Sequence, residues 1–236
     1  MTMFATVRTM RRIVLLAALF GLATVLSANA ADDSWSQRLS NSLPGGWGPP
    51  DHFVFHSPAD ATAWRFGAFA GQYNSGRLLY LEFEPWRGAR LYKPGYVGAL
   101  NATYKAVDLP YLPVEIGLDF ALAQHFGGQS FSEVAFAPTI TWNWFPWNNY
   151  VYTRFRMGPL GVSYDTAVSK LEAADTVGRH TSRFLNYHVA ELIFSPAKDA
   201  NWEVFLGVHH RCGIYGLVGK VNGGSNYVTA GFRAGF

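Results

Sequence analysis

The chain has one cysteine, Cys212, in 236 residues. A lone thiol cannot close an internal disulfide, so the fold must hold without one. Its position, far from the N-terminus, also excludes a lipid-modified N-terminal cysteine. Charge is scarce, with 19 Lys+Arg against 16 Asp+Glu. Arg8, Arg11 and Arg12 belong to the N-terminal leader. Taking those three from 19 leaves 16 of each sign, so there is no basic surface to hold nucleic acid. No phosphate-binding glycine loop opens a helix, and no repeat is sustained. The apolar run Ile13–Leu26 is short for a bilayer span and has no stop-transfer flank.

That run is read instead as the core of a secretory signal peptide spanning residues 1–30. The three arginines precede it, and Ala28-Asn29-Ala30 supplies a small-residue cleavage site. Residues 31–60 are polar and broken by Leu43-Pro44-Gly45-Gly46 and Gly48-Pro49-Pro50. They read as a periplasmic segment, with a short helix over Ser34–Ser42 and a short strand in His52–His56. Residues 61–236 are assigned to one β domain.

Aromatic residues are plentiful: 18 Phe, 12 Tyr and 8 Trp. From Trp64 onward they fall within segments that alternate with a period of two. The segments are Trp64–Tyr73, Leu78–Pro85, Tyr96–Ala106, Leu112–Phe126, Phe131–Phe145, Tyr150–Ser163, Phe184–Ser195 and two more between Asn201 and Phe236. The Asn74–Arg77 turn and the Pro94-Gly95 loop separate the early ones. A polar stretch, Tyr164–Arg183, carries a helical turn at Ser169–Ala174. A soluble sandwich would alternate too, but three features favour an antiparallel up-and-down outer-membrane β-barrel. The apolar faces are about the nine to eleven residues that cross a bilayer at a tilt. The opposite faces carry Glu115, Asp119, Glu133, Arg154 and Arg156, which suit a small lumen of paired charges. Trp142, Trp144, Phe145, Trp147, Tyr150 and Tyr152 cluster as an interfacial girdle would. Nine segments are counted where an even number is required. Eight strands are expected, or ten if the Phe53–Phe55 run joins the wall. Such a barrel belongs in the bacterial outer membrane.

Chemistry is concentrated at the C-terminal end. Trp202, Val204, Leu206 and Val208 share a parity that continues into His210 and Cys212. Val228, Ala230, Phe232, Ala234 and Phe236 share one that reaches back to Asn226. A final strand that ends in the periplasm places all three polar groups on the lipid-facing side at the outer rim. Histidine at a rim also snorkels to headgroups, and an isolated cysteine also packs as a small hydrophobe. His209, His210 and Cys212 lack a fourth ligand, and alternation sends the two histidines to opposite faces. No metal and no cofactor is therefore expected. Asn101-Ala-Thr103 has the form of a glycosylation sequon, here on a strand and taken as chance.

The frame His210-x-Cys212, a glycine-containing loop, and Asn222-Gly-Gly-Ser-Asn226 entering a last strand resembles the lipid A 3-O-deacylase barrel family. Weaker likeness extends over Trp64–Leu81 and Ala135–Trp142. That family has His-x-Ser and an acidic residue on the final strand, with a triad facing lipid. The resemblance implies His210 as general base, Cys212 in the place of the nucleophilic serine, and Asn226 where the acid stands. Backbone N–H groups of Gly213 or the glycine loop would then stabilise the oxyanion. It further implies hydrolysis of acyl esters of lipid A in lipopolysaccharide, and assembly by the barrel-assembly machinery through the last strand. Beside that family's eight strands, the segment Leu112–Phe126 reads as an addition. The competing function is a non-catalytic barrel of the same fold, structural or lipid-binding, with a degenerate site.

Overall fold

Alternation in the sequence becomes a closed ring of strands. The computed structural model describes residues 50, 52–83 and 91–235. The leader with its cleavage site, the helix expected over Ser34–Ser42 and the terminal Phe236 lie outside the described residues. Eight wall positions run β2 (Trp64–Asn74), β3 (Tyr92–Asp108), β4 (Val114–Gly127), β5 (Phe131–Trp142), β6 with β7 (Tyr152–Gly158 and Val162–Asp165), β8 (Phe184–Ser195), β9 (Trp202–Cys212) and β10 (Gly224–Gly235). Every neighbouring pair is antiparallel, and pairing of β10 with β2 closes the barrel. The nine expected segments become eight wall positions because the one beginning at Leu78 is helical, and two further strands bring the total to ten. The wall segment over Tyr150–Ser163 splits into β6 and β7 around Pro159, which has no N–H to give the ladder. The short strand β1 (Val54–Phe55) adds to the end of β3, outside the ring of eight.

Four expectations are corrected by the backbone. Leu78–Phe83 is a six-residue helix, α1, and not a strand. It contains no β-branched residue, and three of its six residues are leucine, a good helix former. Pro94 and Gly95 lie inside β3, where the Pro94 carbonyl accepts from Gly128 N at 2.8 Å. The segment near Leu112–Phe126 is no addition, because β4 is one of the eight wall strands, paired along its length with β3 and β5. Tyr152 does not join the aromatic girdle. It is buried, whereas Trp142, Trp147 and Tyr150 are exposed.

The wall inverts the usual inside and outside. Leu100 on β3 is 67% exposed and Leu206 on β9 is 59% exposed, while Arg211 and Arg233 are buried at 1% and 0%. An apolar exterior around a charged lumen is what a barrel needs to stand in hydrocarbon. Inside, Arg156 Nη2 meets Asp119 at 3.0 Å and Glu191 at 2.6 Å, and Arg233 meets Glu191 at 2.5 Å and Glu203 at 2.9 Å. Arg154 pairs with Glu203 and Glu115, and Arg65 with Glu203 at 3.3 Å. Of the five charges predicted for the lumen from alternation, Glu115, Asp119, Arg154 and Arg156 thus lie in one network of opposed charges, and Glu133 lies apart from it.

The start of β2 and the end of β10 lie at one rim, and the long β2–β3, β7–β8 and β9–β10 connections lie at the other. At the loop end a second helix, α2 (Lys170–Asp175), crosses the lumen. Its Ser169 cap accepts from Glu172 N, and its Leu171 packs on the buried core. Tyr73 donates to Leu171 O at 3.3 Å, and Ser169 donates to Gln129 Oε1 at 2.9 Å. Burial pushes the Glu172 carboxyl above its ordinary value, opposed by Arg211 and by hydroxyls of Thr181 and Ser225. The opposite end opens into a cavity of about 410 Å³ lined by Arg65, Lys105, Glu115, Arg154 and Glu203 among others.

Candidate active site

Strand register brings the outward-facing polar residues into one row at the loop end. His188 on β8 stands opposite His210 on β9, His210 opposite Asn226 on β10, and Asn226 opposite Asn74 on β2. One step further toward the loops, Asn186 stands opposite Cys212 and Cys212 opposite Gly224. His209 and Arg211 take the other parity and enter the lumen, bonded to Glu133 and Asp165.

The row fixes the state of His210. Asn226 Nδ2 donates to Gly76 O at 2.7 Å, so its Oδ1 is the atom that faces the imidazole. That oxygen lies 2.7 Å from His210 Nδ1, and Ser225 O lies 2.9 Å from the same nitrogen. Two acceptors on Nδ1 require Nδ1 to carry the proton. In the neutral ring Nε2 then holds the lone pair of a base.

Cys212 is half-buried, and its sulfur receives donors from two directions. Asn186 Nδ2 lies 3.8 Å from Sγ, and the backbone N–H of Ile214 also points at it. Ile214 begins a left-handed turn, with φ of 46°, 55° and 89° at Ile214, Tyr215 and Gly216. That conformation costs a β-branched residue about 1–2 kcal/mol, and here it turns an N–H toward the thiol. The oxyanion donor expected at Gly213 is corrected: its N–H is spent on Gly223 O at 3.2 Å. The structure therefore joins His210 to Asn226, whereas Cys212 bonds to Asn186 and Ile214 instead of to the imidazole.

No family model matches the chain, and no curated protein matches it. Solved structures do. The outer membrane enzyme PagL aligns at a TM-score of 0.48 and 12% identity, over 72% of this chain and 98% of that one. Neisserial surface protein A (NspA) aligns at 0.43 and 14%, over 74% and 97%. The Yersinia pestis outer membrane protein Ail aligns at 0.35 and 17%, over 72% and 98%.

The described part of the connection between β2 and β3, residues 75–83, lies over the row. Gly76 N donates to Asn74 Oδ1 at 2.8 Å while Gly76 O accepts from Asn226. Beyond it α1 packs against β9 and sets Glu82 Oε1 2.6 Å from His188 Nε2. The His188 ring in turn meets the His210 ring edge-on, with centroids 5.9 Å apart. His188, His210, Asn226 and Asn74 are all buried beneath this flap, although their parity is that of the apolar exterior. Desolvated polar groups are tolerated there because nearly every one has a partner within the row.

Glu82, His188, Asn186 and Ile214 are the members that sequence reasoning missed. His188 and Asn186 carry a readable signal, since alternation along Phe184–Ser195 gives them the parity of Leu192 on the exterior. Glu82 carries none, because its segment reads as a strand.

Proposed function

We propose that this barrel stands in the bacterial outer membrane with its loop end outward and hydrolyses acyl esters of lipid A in the outer leaflet. Export by the leader and insertion by the barrel-assembly machinery through the last strand belong to the same reading. The observation that supports it most is the His210 tautomer. Asn226 and Ser225 hold the proton on Nδ1, which leaves Nε2 as a base on the lipid side of the wall, one strand step from a half-buried thiol.

The chemistry then balances without a cofactor. Nε2 takes the Cys212 proton, and Sγ bonds to the ester carbonyl carbon. The Ile214 N–H and Asn186 Nδ2, which both reach the sulfur, are the donors this reading assigns to the resulting oxyanion. The C–O bond breaks, and the imidazolium returns its proton to the departing sugar oxygen. Water, deprotonated by the same Nε2, cleaves the thioester to release a fatty acid and restore the thiol. Residues two apart on a strand have Cα atoms about 6.6–7 Å apart, so both side chains must lean toward each other. Catalytic hydrogen bonds commonly tighten only when substrate is bound. Asn226 orients the ring but adds no negative charge to stabilise its protonated form.

A second reading is favoured by the flap and by the partners of the thiol. If Asn186 permanently occupies Cys212 and the β2–β3 loop stays closed over His210, the row is a buckle that holds the loop. The protein is then a non-catalytic barrel of the same fold. Expression in an outer membrane, followed by mass spectrometry of its lipid A, separates the two. The hydrolase reading expects loss of one acyl chain with the wild type, none with Cys212→Ala, and partial or full retention with Cys212→Ser. Unchanged lipid A beside correctly inserted wild-type protein would leave the buckle.

A further inference from the structure

Charge inside the barrel is balanced in one half and unbalanced in the other. Toward the chain ends, Arg65, Arg154, Arg156 and Arg233 meet Glu115, Asp119, Glu191 and Glu203, four cations for four anions. Toward the loops, Glu133, Asp165 and Glu172 are all fully buried. Among the described residues, Arg211 is the arginine or lysine within ion-pair distance of them. Three carboxyl groups share one guanidinium in a region without solvent. Unpaired buried charge is among the most expensive things a fold can hold.

Two imidazoles converge at the same place. His125 Nε2 lies 2.7 Å and His209 Nε2 3.0 Å from the same oxygen, Glu133 Oε2. The three ligand-capable atoms fall within 4.8 Å of one another. The second carboxylate oxygen, Glu133 Oε1, is buried without a hydrogen-bond partner, and so is Asp165 Oδ1. A tetrahedral zinc ion about 2.0–2.2 Å from each ligand atom sets those atoms about 3.3–3.5 Å apart, so the two contacts to Glu133 would open by roughly half an ångström to admit it.

We propose that His125, His209 and Glu133 form a binding site for a divalent transition-metal ion of the zinc class inside the outer half of the lumen. Two histidines and a carboxylate suit such ions better than calcium or magnesium, which prefer all-oxygen shells. Glu133 Oε1 is placed to become the fourth ligand. Arg211, 3.6 Å from that oxygen, is shared with Asp165 and Glu172, so its charge is already spent. The role is structural, because the site is sealed from the exterior by the wall and from the loop end by α2. It is independent of the reaction proposed for Cys212.

The test uses full-length protein refolded into detergent in the presence of Zn²⁺ alone, so that the ion can enter before the lumen closes, and then washed with a weak chelator. The proposal expects about one Zn²⁺ per chain by elemental analysis and a higher unfolding temperature than the EDTA-treated protein. Co²⁺ loading of the same wild-type protein should give the visible absorption of a low-coordinate His/carboxylate site. His125→Gln and His209→Gln should lose the ion, whereas His210→Gln, on the outer face, should keep it. Sub-stoichiometric zinc on folded wild-type protein would overturn the site. So would stoichiometric zinc that His125→Gln and His209→Gln both retain. The Co²⁺ spectrum of the wild type decides the matter if those variants fail to fold.

Discussion

His210 Nδ1 and Asn226 Oδ1 lie 2.7 Å apart on neighbouring strands, and the amide that holds the ring is itself held by the carbonyl of Gly76. Removing the amide while keeping its volume tests what that relationship does. In Asn226→Leu the Ser225 carbonyl is left as the acceptor for Nδ1–H, and the ring is free to tilt. Ester hydrolysis is expected to fall by about 10²-fold, within the range that a positioned base contributes. Asn226→Asp should retain most of the activity, because a carboxylate oxygen can replace the amide oxygen. Equal activity in Asn226→Leu and wild type would remove Asn226 from the mechanism.

Among the described residues, Glu82 latches the flap to His188 at 2.6 Å. A hydrogen bond to a charged group contributes about 1.5–3 kcal/mol, which corresponds to about a tenfold to hundredfold change in how often the loop opens. Glu82→Ala should therefore accelerate diethylpyrocarbonate modification of His188 and His210 by about that factor. His209, two strand faces away in the lumen, serves as the internal control and should be unchanged. Uniform acceleration of all three would indicate general destabilisation instead of release of the flap.

Arg233 is fully buried, bonds Glu191 and Glu203, and lies over the Phe205 ring at 4.0 Å from its centroid. Arg233→Met keeps much of the volume and leaves those carboxylates under-paired. A loss of about 3–5 kcal/mol is expected in urea unfolding from lipid vesicles, since breaking one partner of a buried pair strands the other.

The exterior makes the opposite demand. Leu206 lies midway along β9 and faces outward. Leu206→Arg should cost about 2–4 kcal/mol in the same vesicle assay, as expected near the bilayer midplane. A neutral result would mean that this face does not meet hydrocarbon.

Much of this architecture was legible in the sequence because wall strands are long and their two faces differ in chemistry. Val114 to Ala123 alternates cleanly enough to place Glu115 and Asp119 inside, and Trp202 to Cys212 places His209 and His210 on opposite sides. Helix α1 was not legible. Over six residues, Leu79, Leu81 and Phe83 satisfy a period of two as well as a helical face does, so alternation cannot decide. Nor was the wider site. Glu82 and His188 meet across 106 residues of sequence, through a strand register and a loop fold that no local pattern encodes. The imidazole–carboxylate cluster of the outer lumen needed the register too, because His125, Glu133 and His209 come from three strands.

The account turns on a thioester forming at Cys212 with His210 as its base. Intact-mass spectrometry of folded protein after brief exposure to a short-chain p-nitrophenyl ester tests this directly. The account predicts one acyl increment on Cys212 that hydroxylamine removes, that is missing in Cys212→Ala, and that forms far more slowly in His210→Gln. No adduct on the wild type, or an adduct that His210→Gln forms at the wild-type rate, would contradict it.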